Sequence, residues 1–241
     1  MGECGHAPSD DAALVDTSTD WGTYTPPSEL TGPDPNSLRQ PPPAGDRDNN
    51  PTGVSLWALI REDFHTHDRD WTTPGFWAVA VHRFGNWRMR FRWKVFRAPL
   101  SLAYRLLFHV VELGGGIMLP YTVPLGRRVR IWHHGGIVIH ARSIGNDVHL
   151  RHNTTLGVAR TGENWDLPVI GDRVDIGCGA CVLGDVHVGD DAVIGANAVV
   201  THDVPSGGVA VGVPARVVGV RNPKGDGTSH QNGTHVTSCE S

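Results

Sequence analysis

The chain has 241 residues, 39% of them hydrophobic, with a formal net charge of −4, enough for one main domain with accessory segments. The weak negative balance excludes a general nucleic-acid binder, which needs a net basic surface to neutralise phosphates. Its most apolar window, "LSLAYRLLFHVVELGGGIMLP", is interrupted by Arg105, His109 and Glu112, which excludes a lipid-embedded span.

Residues 1–53 are rich in Pro, Asp, Asn, Ser and Gly, with few apolar residues to bury, and read as a disordered tail. The start "MGECGHAPSD" lacks the basic and apolar regions of a signal peptide. His6 breaks the acylation pattern that Gly2 would begin, so a cytoplasmic location is expected.

A helical section is predicted over residues 54–116, where apolar residues recur at helical spacing. Ser55 is placed to cap a first helix, "TTPGFWAVAVHRFGNWRMRF" gives a second shaped by Pro74-Gly75, and "APLSLAYRLLFHVVEL" a third, closed by the glycines at 114–116. Trp77, Phe84, Trp87 and Trp93 are expected to pack. The arginines from Arg83 to Arg97 read as the solvated face of a helix, with a membrane-surface or polyanion patch as the alternative.

Residues 117–220 carry a repeat. Ile170, Ile176, Val182, Val188, Ile194 and Val200 fall every sixth residue, and upstream the phase runs through Leu119, Leu125, Ile131 and Ile137. After one extra residue it resumes at Ile144, Leu150 and Leu156. A six-residue period with one aliphatic per repeat predicts a parallel β-helix, three short strands to a coil. Glycine follows the aliphatic at 171, 177, 189 and 195, which suggests turns of unusual φ. The one break, the loop 157–169, reads as functional, because excursions from a solenoid seldom serve packing. The "CGAC" of Cys178 and Cys181 lies inside the repeat and reads as structural. Residues 221–241 form a second polar tail expected to be disordered.

Four stretches carry a family resemblance: "IGNDVHLRHNTTLG", the loop "TGENWDLP", the hexad run ending in "GVPARVVG", and "HHGGIVI". Together with the helical section they resemble the serine O-acetyltransferase branch of the hexapeptide-repeat acyltransferases, over roughly residues 55–220. The resemblance implies a left-handed β-helix assembled as a trimer or a dimer of trimers, with acetyl-CoA bound between subunits and no metal. It makes His133 the general base, and a strand's alternation of faces would turn His134 away from the cleft. It makes Asp70, with Asp68 second, the contact to an acceptor amino group. An Asp capping the second helix is the competing structural role for Asp70. Gly157, Gly177, Gly179, Ala180, Gly195, Ala198 and Arg216 are implied for acetyl-CoA.

The sequence also departs from the family. Trp132 stands where the family has an Asp before the base, Met118 replaces a further acidic partner, and Leu167 occupies the place of a second histidine. Asp166 is the candidate to take part of that histidine's role. The acceptor therefore stays open between L-serine, a serine-like hydroxyl, and a sugar, polysaccharide or specialised metabolite. The tail ends in Ser241 rather than the isoleucine that docks some members into cysteine synthase, so no such complex is expected. Two other classes are considered: a zinc lyase on the same fold, for which His133, His140, His149 and His152 are available at spacings that do not match, and a scaffold without activity.

Overall fold

The computed structural model describes residues 45–160 and 166–221. The expectations for residues 1–44, 161–165 and 222–241, most of both tails included, lie outside the described residues.

Three helices lead the fold: α1 (Leu56–Thr66), α2 (Pro74–Trp87) and α3 (Lys94–Gly115), with a 3-10 turn at Arg88–Arg90. Ser55 caps α1, its hydroxyl accepting from the Ala58 N–H at 3.3 Å. Pro74 opens α2, where its missing N–H costs nothing. Gly116 ends α3 in the left-handed region at φ 61°, a conformation a side chain would strain.

Residues 45–53, expected to belong to the tail, are packed on α2 instead. The Asn50 amide donates to the Arg83 carbonyl at 2.9 Å and the Asn49 N–H to Asn86 Oδ1 at 3.1 Å. One side-chain amide and one backbone N–H of this segment pair with groups of the helix, a role that composition does not reveal.

The arginine cluster also differs from its expected form. Arg83 is fully buried, donating to Asp63 Oδ2 at 3.0 Å and to the carbonyls of Leu125 and Gly126 at 2.8 and 2.6 Å. Arg88 lies over the rings of Tyr104 and Tyr121, 4.4 and 4.1 Å from their centroids. Burial pushes the Asp63 carboxyl up against the opposing pull of Arg83. These two arginines bind the helices to each other and to the start of the β-helix. Trp93, by contrast, is 75% exposed, while the half-exposed Trp77 sets its ring 5.3 Å from that of Phe76 and donates its indole N–H to the Trp71 carbonyl at 2.7 Å.

Downstream, fourteen strands among the described residues build three faces. The first holds β1 (Ile117–Met118), β3 (Ile137–Ile139), β6 (Thr155–Gly157), β9 (Cys181–Leu183) and β12 (Val199–Val200). The second holds β4 (Ser143–Ile144), β7 (Val169–Ile170) and β10 (His187–Val188). The third holds β2 (Arg130–Ile131), β5 (His149–Leu150), β8 (Asp175–Ile176), β11 (Val193–Ile194), β13 (Gly208–Val211) and β14 (Arg216–Val220). All pairings are parallel except β13 with β14, which folds back to close the last coil. Stacked aliphatics fill the interior. On the third face Ile131, Leu150, Ile176, Ile194 and Ala210 stand in register; on the first, Ile139, Leu156, Val182 and Val200 do. Each fully buried Ile or Leu contributes about 1.5–3 kcal/mol, so the repeat supplies the core directly.

Two details correct the sequence reading. Ile139, not Ile137, pairs with Leu156, so the corner after Ile131 holds two extra residues and the next hexad is one short. Ile137 is buried as well, paired with Ile117 at the top of the stack. The glycines at 171, 177 and 189 are required by close approach rather than by φ. A Cβ there would come within about 2.5 Å of Asp190 Oδ1, Ala196 N and Ser206 N in the next coil. The left-handed residues fall two positions later, at Arg173, Gly179 and Asp191.

The outer side of α3 carries Val95, Phe96, Leu102, Leu106, Val110 and Leu113, all exposed, while Tyr104 on the opposite side is buried. Among the described residues no helix is long and apolar enough to cross a membrane.

Candidate active site

The lengthened corner after β2 is where His133 sits. Two added residues push the chain outward, and His133 takes a left-handed φ of 63° before Gly135 and Gly136 return it to β3. His133 and His134 thus stand on a turn rather than a strand, and both are exposed. The expected alternation does not apply, because neither residue belongs to a pleat. Both line one cleft of about 310 Å3 together with His67, Asp68, Asp70, Thr73, Arg130, Ile131 and Trp132.

The helical section forms the other wall of this cleft, and specific contacts hold it there. A Cβ on Gly75 would stand 2.4 Å from the Ile131 carbonyl, so only glycine lets α2 lie this close to β2. His67 follows α1. Its Nδ1–H donates to the Asp63 carbonyl at 2.7 Å, and its Nε2 accepts the Ile131 N–H at 3.3 Å. That pair of bonds defines a neutral tautomer, and burial pushes the imidazole below its usual range despite the Asp63 carbonyl and carboxylate.

Asp70, carried over as the acceptor contact, lies in the same cleft as His133. Its Oδ1 accepts from the Thr72 N–H at 2.8 Å and the Thr72 hydroxyl at 2.6 Å, and these bonds hold the carboxyl below its ordinary value. The N-cap of α2 is Thr73, so Asp70 shapes the turn ahead of the helix while remaining exposed to the cleft. Asp68 is ion-paired with Arg130, which lowers its carboxyl, and the Arg130 guanidinium lies over Trp132, 3.5 Å from the ring centroid. Trp132 also donates its indole N–H to His149 Nδ1 at 3.3 Å. No motif or spacing marks His67, Arg130 or this stack; a helix-terminal His and an Arg beside a Trp are common outside functional sites.

The other candidates separate. Gly177 and Gly179 lie on the corner that carries His133 two coils further along, and Gly195 three coils further. Gly157 ends β6, and a Cβ there would meet nothing within 4 Å, so its small size answers to no internal contact. Ala180 and Ala198 are 0% exposed members of the core, their side chains at an inward-facing position of the hexad, so only their backbone is available to a donor. Asp166 stands at the entry to β7 and is not among the residues lining the cleft, so within one chain it does not join His133. Arg216 is exposed on β14, its Nη1 donating to the Ala215 carbonyl at 3.0 Å. Among the described residues no group of three or more His, Cys, Asp and Glu side chains converges as a metal-ligand set.

This stack of coils, with an exposed histidine on a widened corner, defines a left-handed β-helix of the hexapeptide-repeat class; residues 168–202 match the family described as bacterial transferase hexapeptide (six repeats). The chain is 36% identical over 169 residues to a serine acetyltransferase of Helicobacter pylori, covering 68% of this chain and 94% of that one. It belongs to the serine acetyltransferase family. A serine acetyltransferase of Mycobacterium tuberculosis is 37% identical over 155 residues, 64% of this chain, and the match spans 65% of that relative's length. Among solved structures, Brucella abortus serine acetyltransferase in complex with coenzyme A superposes with a TM-score of 0.58 at 26% identity, covering 68% of each chain.

Proposed function

We propose that the chain is an acetyl-CoA-dependent O-acetyltransferase whose acceptor is L-serine or a serine-like hydroxyl compound. The observation that carries this reading is the shared cleft of His133 and Asp70, in a chain of the serine acetyltransferase family. In the reaction the acceptor oxygen attacks the thioester carbonyl while His133 takes its proton. The tetrahedral intermediate collapses, the C–S bond breaks, and the thiolate recovers the proton from His133. The products are the O-acetyl ester and free coenzyme A. Asp70 attracts the acceptor's ammonium group, which aligns its hydroxyl with the imidazole.

Acetyl-CoA lies along the corner of Gly177, Gly179 and Gly195, with Gly157 leaving space at β6 and Arg216 available to phosphate. The protein assembles as a trimer or dimer of trimers in the cytoplasm; the exposed apolar side of α3 supports assembly, because such a strip is costly in water. Thiol release from acetyl-CoA, measured with serine, homoserine, threonine and sugars, tests the reading. Release that depends on serine supports it, and absence of release with every acceptor removes it.

A further inference from the structure

His133 needs a fixed orientation to act, yet it is exposed on a turn. Neither carboxylate of the cleft holds it: Asp68 is engaged by Arg130, and Asp70 by Thr72. His67 uses both ring nitrogens on backbone groups, and Arg130 and His134 complete the charged and titratable lining. What packs against His133 is the ring of His152, 5.6 Å between centroids at 76°, a T-shaped contact.

The β-helix makes this neighbour. Ile131 pairs with Leu150 in the next coil, so the second residue after each, His133 and His152, stand one above the other. Cys178 holds the same place one coil further on. His152 is itself secured: its carbonyl accepts the Gly179 N–H at 3.0 Å, and its ring is partly buried. Its Nδ1 is buried with no hydrogen-bond partner among the described residues. A buried side-chain nitrogen in that state serves neither the fold's hydrogen bonding nor solubility, whereas the ring's edge-to-face contact restrains a neighbour.

We infer that His152 is a positioning residue for His133, holding the exposed imidazole in one orientation through ring packing. The inference rests on the reading of His133 as the base. Because Nδ1 forms no bond, a phenyl ring at this position keeps the contact without losing one.

The test compares His152→Ala, His152→Phe and His133→Ala in steady-state kinetics, with thermal melting of each as a check on folding. His152→Ala is expected to lower kcat by at least about fivefold with both KM values within about twofold, as misplacement of a reacting group does. His152→Phe is expected to recover most of that loss. A smaller loss in His152→Ala, a change confined to KM, or a His152→Phe as slow as His152→Ala overturns the inference. An inactive His133→Ala beside an unimpaired His152→Ala defeats it alone; normal turnover in His133→Ala defeats the base assignment as well.

Discussion

The backbone N–H of Ile131 donates to Nε2 of the buried His67 at 3.3 Å, and this one bond ties the end of α1 to the strand that leads into His133. The helical section is therefore part of the site rather than an appendage to the β-helix. Replacing the ring by His67→Ala leaves a buried N–H without its partner, at a cost of about 1–3 kcal/mol. Chemical denaturation is expected to register that loss, with reduced turnover from a loosened cleft wall. Unchanged stability would show that the bond contributes nothing.

Two buried imidazoles make stability depend on pH. Burial pushes His82 down from 6.5 to about 3 and lowers His67 as well, so the fold keeps both neutral. The unfolded chain binds protons at ordinary histidines once pH falls below 6.5, while the folded chain does not. Their contribution is complete above that value and is lost as pH falls toward about 3 for His82. Each imidazole removes up to about 1.4 kcal/mol per pH unit in its window. Urea midpoints measured at neutral pH and near pH 5 are expected to fall on acidification; equal midpoints contradict this.

Two glycines separate packing from binding. Gly75→Ala drives a Cβ to 2.4 Å from the Ile131 carbonyl, and the overpacking is expected to cost about 1–3 kcal/mol. Gly157→Ala meets nothing within 4 Å, so its stability is expected to hold or rise by about 0.4–1 kcal/mol. Any increase in the KM for acetyl-CoA in Gly157→Ala then reports the donor groove alone. Thermal melts of both variants, with donor kinetics for the second, check the pair.

The β-helix was legible because the hexads place an aliphatic at the same point of a coil, from Ile144 to Leu156 and again from Ile170 to Val200, the period of a parallel β-helix. What the period concealed lies where it slips. One extra residue between Ile137 and Ile144 is in fact two added at the His133 corner and one removed after Ile139, and only register reveals the difference. The exposure of His134 beside His133 follows from that corner. Small residues were ambiguous for a related reason: Gly157, Gly177 and Ala180 look alike in sequence, but one faces open space, one a neighbouring turn and one the core. His67 and Arg83 were hard to place because each has, besides Asp63, a backbone partner more than forty residues away.

His133 is proposed as the base of an acetyl transfer. Serine-dependent release of coenzyme A, measured in the full chain and in His133→Ala, decides that role. Release by the unmodified protein is expected, with a fall of about two to four orders of magnitude in the variant while the fold stays intact. Turnover near normal in His133→Ala would contradict it.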